Sequence, residues 1–168
     1  MTTPTLRIAH LYADEMNIYG DRGNILTLTK RAEWRGITVE IRAVGRGPGA
    51  DLSDANLIFW GGGQDRDQEL VFKDAAAHKV TAIRRAIERG AGNNGEDQTE
   101  GVADGNVFGT YLHGSLLPKN PHFADLLIER ALGPPAIGRL VPLADTEEMQ
   151  AHQSVSDRVL GRPASTRS

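Results

Sequence analysis

The order of its apolar runs predicts an α/β protein with a mostly parallel sheet flanked by helices. Three observations carry that expectation. Short apolar or β-branched runs alternate with stretches of helical apolar spacing, and the alternation opens as β-α-β-β-α-α. The run Leu57-Ile58-Phe59-Trp60 breaks directly into Gly61-Gly62-Gly63, as strands of open α/β sheets do at the end where ligands bind. The 168 residues suit one domain with a single core.

Each element has its own reason. Leu6 to Tyr12 is short, apolar and followed by polar residues, which reads as a strand. Asp21 is placed to cap a helix whose stripe is Ile25, Leu28 and Ala32, with Gly36 as its terminator. Ile37 to Val44 alternates and is β-branched, hence a strand, and Gly45 to Ala50 is a loop. After the Leu57–Trp60 strand, helices are expected over Asp67 to His78 and again over Val80, Ile83 and Ile87, stopping at Gly90.

There the rhythm fails. An α/β unit returns to a strand within a few residues. Here the stretch from Ala91 to Gly101 is polar and Gly-rich instead, and reads as a solvated loop in which Asn94-Gly95 suits a tight turn. The next strand begins only at about Asn106 and reads as buried through Leu112, delivering His113 to a loop. Asn120 and Pro121 then start a helix striped by Phe123, Leu126, Leu127 and Ala131, which Gly133-Pro134-Pro135 ends. Asp145-Thr146-Glu147-Glu148 has the form of a capping box before a last helix to about Leu160. Residues 1–160 make one domain on this reading, and 161–168 a flexible tail.

Composition narrows the function classes. A net charge of -3 argues against a nucleic-acid partner. No apolar stretch is long enough for a transmembrane segment, and Met1 to Thr5 has no signal-peptide character, so a cytoplasmic location is expected. The chain contains no cysteine, which excludes disulfides, thiolate metal sites and a cysteine nucleophile. His113, His122 and Asp125 form no recognised zinc set, and the Gly92 to Gly101 stretch lacks EF-hand spacing, so no metal site is expected.

Three segments carry candidate chemistry. Gly61, Gly62 and Gly63 suit either an oxyanion or phosphate cradle of backbone N–H groups or a tight strand-to-helix turn. His113, just past a strand and before Gly114, suits either a general base or a hydrogen-bonded structural role. Asn17 to Asn24 joins a polar, Gly-containing loop to a helix start; a cap explains Asp21 and leaves the other polar residues without a reason.

Taken together, Met16-Asn17-Ile18-Tyr19-Gly20-Asp21-Arg22-Gly23-Asn24, Gly61-Gly62-Gly63-Gln64-Asp65-Arg66 and Gly109-Thr110-Tyr111-Leu112-His113-Gly114 with Leu117-Pro118-Lys119-Asn120 resemble the glutaminase subunits of lipid II isoglutaminyl synthase. Those are small CobB/CobQ-type class I glutamine amidotransferases, and the histidine motif alone is shared with cobyric acid synthase. The resemblance implies a flavodoxin-like sheet, a cysteine that attacks the glutamine carboxamide, and a histidine that moves the protons. His113 matches that histidine, and Gly61 to Gly63 match the glycine loop beside the oxyanion. It further implies an ATP- and Mg-dependent Mur-ligase-like partner in a heterodimer, which uses the ammonia to amidate D-glutamate of the lipid II stem peptide. No cofactor is implied in this chain.

The resemblance also implies what is missing. The nucleophile strand and its sharp turn belong directly after Gly90, where this chain passes from Ala91 to Gly92 and into a later part of the family pattern. The domain is thus truncated internally between residues 91 and 92. The expectation is a glutaminase subunit without glutaminase chemistry, or a non-catalytic binding partner of the ligase subunit, or a cobyric-acid-synthase-like remnant. The strand at Asn106 to Leu112 has enough preceding chain to slide into the vacated place in the sheet.

Overall fold

The computed structural model describes residues 3–17, 20–48, 51–79, 102–104, 106–110 and 114–159. Its main sheet has three parallel strands in the order β2-β1-β3: β1 is Thr5–Leu11, β2 is Thr38–Val44 and β3 is Leu57–Trp60. β1 runs in register with both neighbours, Ile8 opposite Ile41 of β2 and Leu57 of β3. Helix α1 (Asp21–Glu33) crosses from β1 to β2, and α2 (Asp65–His78) follows β3. The parallel α/β architecture is therefore the expected one.

Two apolar layers hold the sheet. On one face Leu6 and Ile8 of β1 meet Ile25, Leu28 and Ala32 of α1. Ala124 and Ile128 of a later helix, Pro121–Leu132, complete that layer. On the other face Ala9 and Leu11 pack with Val44, Val71 and Ala75, so α2 contributes only a narrow strip. The period-two alternation along β1 is what feeds both layers from one strand.

The later chain departs from expectation. β4 (Val102–Asp104), in the stretch read as a solvated loop, pairs antiparallel with β5 (Val107–Gly109). β5 is three residues long and belongs to this separate two-stranded sheet, so residues 107–109 of the expected strand do not pair with β3. Only Gly105-Asn106 separates β4 from β5, and closing so short a loop costs less than carrying β5 to a distant sheet. A short helix, α3 (Leu116–Lys119), precedes α4 (Pro121–Leu132), which starts at the expected Pro121; α5 spans Thr146–Val159. The helix expected from Val80 to Gly90, the Ala91 to Gly101 stretch, His113 and the 161–168 tail lie outside the described residues.

Two caps differ from expectation for one reason: each carboxylate has a stronger use elsewhere. Gly20, with φ 89, is the residue before α1, and Asp21 is its first helical residue. Asp145 accepts two hydrogen bonds from Arg31, at 2.5 and 2.8 Å, rather than closing a capping box. Arg31 also forks onto Asp125 at 2.7 and 2.8 Å, and Arg35 reaches Asp125 at 2.6 Å. Arg31 is 2 % exposed, so this network ties α1 to α4 and to the start of α5 from inside. Among the described residues no helix is long and apolar enough to cross a membrane.

Candidate functional site

The residues without a reason in the sequence acquire one at the amino end of α1. Gly61 and Gly63 leave β3 across this end of the helix. A Cβ on Gly61 would run into the Met16 carbonyl oxygen and the Asp21 carboxylate, and one on Gly63 would lie 2.6 Å from the Met16 sulfur. Glycine is thus demanded by close backbone approach. The Gly62 N–H donates to Asp21 Oδ2 at 3.2 Å, and Gln68 of α2 donates to the Gly63 carbonyl.

The residues that follow His113 reach the same place from the opposite direction. Gly114 turns with φ 93, in the left-handed region. Its carbonyl accepts from Asn24 Nδ2 at 3.2 Å, and Asn24 Oδ1 accepts from the buried Leu117 N–H at 2.8 Å. Ser115 Oγ donates to the Gly20 carbonyl at 3.2 Å, and a Cβ on Gly23 would lie 2.6 Å from that Oγ. Asn17 Oδ1 accepts from the Arg22 N–H at 2.9 Å and closes the approach to the helix. Asp21 and Asn24 therefore act as two clips on one helix turn, one holding the glycine loop and the other the segment after His113.

A third support lies behind the glycine loop. Tyr12 adopts φ 53, and its carbonyl accepts from the Glu15 and Met16 N–H groups, which sets the turn that carries Met16 to Gly61. The Tyr12 hydroxyl donates to Asp74 Oδ2 at 2.9 Å, and Lys79 Nζ donates to the same oxygen at 2.6 Å while lying 4.9 Å above the Tyr12 ring. The Gly47 N–H donates to the other Asp74 oxygen at 2.6 Å. Burial would lift the Asp74 carboxyl, but the hydrogen bonds from Lys79, Gly47 and Tyr12 outweigh it and bring it down to about 2. Burial and the Asp74 contact push the Tyr12 hydroxyl up. Every donor in this cluster has an acceptor, which marks it as a staple between β1, α2 and the 45–48 loop.

His10 is the other buried titratable group near the loop. It sits edge-on to Phe59 of β3 at 5.4 Å, with no hydrogen-bond partner for Nε2 among the described residues. Burial holds its pKa below the usual histidine value against the pull of Asp21 and Asp14.

At the carboxyl end of β3 an open hollow of about 570 Å³ is lined by Met16, Trp60, Asp65, Gln68, Glu69 and Phe72. Phe72 is 61 % exposed although it faces the same hollow as Trp60. Among the described residues no group of acidic or histidine side chains is arranged to hold a metal ion.

A parallel sheet with a glycine turn at a strand end, clipped to a helix that also holds the next functional loop, is the frame of a class I glutamine amidotransferase-like domain. The model of the CobB/CobQ-like glutamine amidotransferase domain matches residues 7–92, and the chain belongs to that family. Two curated relatives are similar to it. One is the subunit GatD of the glutamine-hydrolysing lipid II isoglutaminyl synthase of Staphylococcus aureus (strain N315), 27% identical over 233 residues that cover 91% of this chain and 96% of the relative. The other is the subunit of the same name from Streptococcus pneumoniae (strain ATCC BAA-255 / R6), 27% identical over 209 residues, covering 76% of this chain and 80% of the relative. Both matched lengths exceed the 168 residues of this chain, so the alignments must pass over relative residues that have no counterpart here.

Proposed function

We propose that this chain is a glutaminase-type subunit of a lipid II isoglutaminyl synthase by descent, and that it hydrolyses no glutamine. The observation that supports this reading most is the absence of cysteine from a chain of this family. Glutamine hydrolysis by this route needs a thiolate to attack the carboxamide carbon, forming a glutamyl thioester as ammonia leaves. A water molecule then releases glutamate, with the histidine carrying protons in both steps. His113 is the residue in that role by motif, and the Gly61 to Gly63 loop borders the position of the developing oxyanion. Without a thiol neither step begins. Ser115 is a poor substitute, because it follows His113 in the same loop and its Oγ donates instead to the Gly20 carbonyl.

In the intact assembly the ammonia would pass to a Mur-ligase-like partner that carries ATP and Mg, for amidation of D-glutamate in the lipid II stem peptide on the cytoplasmic side. The retained frame at α1 favours a second reading alongside the first: the chain docks such a partner as a non-catalytic module. Coupled ammonia detection on the purified chain with millimolar glutamine is expected to match the enzyme-free blank. Release above blank overturns the inactive reading. Co-purification with the ligase-type subunit in the absence of glutaminase activity supports the docking module. A peptide from the native protein that runs unbroken from Arg89 to Gly101 as Arg89-Gly90-Ala91-Gly92-Asn93 checks that the working chain lacks the block.

A further inference from the structure

Alternation along β1 carries His10 on the same face as Leu6 and Ile8, the face that α1 covers. In register it stands opposite Ala43 of β2 and Phe59 of β3, and Gly61 follows Phe59 by two residues. Asp21 opens α1 over that same end of the sheet and accepts the Gly62 N–H at 3.2 Å. His10 is 7 % exposed, and among the described residues its buried Nε2 has no hydrogen-bond partner. Among the described residues the charged groups that act on it are Asp21 of α1 and Asp14 of the turn after β1. The strands on either side present Ala43 and Phe59, and α3 adds Leu116 and Leu117 to the layer, all uncharged.

A neutral imidazole is tolerated in such a place with one hydrogen bond unmade. An imidazolium there needs a counter-ion. We propose that His10 is an acid sensor for the glycine loop: a proton taken from solvent onto His10 draws the Asp21 carboxylate off the Gly62 N–H, and the Gly61–Gly63 turn comes loose from α1. The bond given up is long for an amide on a carboxylate, whereas an imidazolium–carboxylate bond is short and about twice as strong as a neutral one. Asp21 responds rather than Asp14, because Asp21 is buried and Asp14 is exposed, where water screens the attraction. Burial holds the folded imidazole below its ordinary 6.5, so the unfolded chain binds the proton first. Stability is therefore lost as the pH falls below 6.5, until the folded ring is charged as well. The proposal concerns the retained frame and goes beyond the functional reading above; ammonia release would leave it untouched.

An NMR titration of the unaltered chain from about pH 7.5 to about pH 4.5, following the His10 ring and the Gly62 amide, is the test. Both are expected to move with one midpoint, below 6.5. Protection of the Gly62 amide, corrected for its intrinsic exchange rate, should fall about fivefold, the net worth of one hydrogen bond. The Leu117 amide, held by Asn24, should keep its protection. His10→Phe puts a ring that takes no proton in the same place, and its Gly62 amide should stay still throughout. His122→Gln, at an exposed position of α4, should leave the Gly62 titration unchanged. Should His10→Phe fail to fold, the two midpoints in the unaltered chain decide alone. A His10 ring that stays neutral to the end of the titration, or that titrates at or above 6.5, overturns the proposal. So does a Gly62 amide that ignores His10, or a Leu117 amide that loses protection in step with it. A Gly62 response that persists in His10→Phe belongs to Asp21 or Asp14, and one lost in His122→Gln belongs to His122; either overturns it too.

Discussion

The two flanks of β3 tell opposite stories. Toward β1 the strand is in register, and its glycine turn is clipped by Asp21 and buttressed by Met16 and the Tyr12–Asp74–Lys79 staple. At its carboxyl end the strand meets an open hollow and an exposed Phe72, and among the described residues no strand pairs with its other side. Among the described residues, the frame is held by contacts within residues 5–79 and 114–145.

This contrast predicts where the chain is fragile. The largest effect is expected at Asp74→Asn, which leaves Lys79 buried with no opposing charge and should cost about 3–5 kcal/mol in urea unfolding. The same carboxylate sets an acid limit. Its folded pKa of about 2 lies below the ordinary value of 3.8, so its contribution is complete above about pH 4 and fades as the pH falls toward 2. The parent chain should lose stability over that window more steeply than Asp74→Asn; parallel curves would show that the staple carries no such linkage. A smaller loss, about 2 kcal/mol, is expected for Asn24→Ala, which strips the acceptor from the buried Leu117 N–H. Amide exchange at Leu117 should rise with it. On the bare flank, Phe72→Ser should change the stability of the monomer by no more than about 0.5 kcal/mol, measured by thermal melts of dilute protein. A loss as large as that of Asn24→Ala would mean that the hollow is already covered.

Much of the frame was readable from pattern. The strands at Leu6, Ile37 and Leu57 follow from alternation and β-branching, and the start of α4 from Asn120-Pro121, because these signals are local. The roles of Asp21 and Asp145 were not readable as caps, because each carboxylate is claimed by a group far along the chain: the Gly62 N–H and Arg31. Asn24 was visible only as an unexplained polar residue, and its two partners lie about ninety residues away. The staple left no local signature at all, since a tyrosine after a strand and an aspartate within a helix are ordinary in isolation. The glycine loop stands out in the sequence, but its immediate cause is the approach of Met16 and Asp21, which no spacing rule contains. The break after Gly90 is visible in the sequence because a polar, Gly-rich stretch interrupts the strand–helix rhythm, whereas the local pairing of β4 with β5 is hidden in a polar stretch.

Trp60 gives the bare flank an optical consequence. The chain has two tryptophans, and Trp34 at the end of α1 is 63 % exposed, so its emission reports bulk water. Trp60 borders the hollow and touches the Tyr12 ring at 5.3 Å. In a Trp34→Phe background the remaining fluorescence becomes a native gauge of occupancy, shifting to the blue when any strand, peptide or second copy settles against β3.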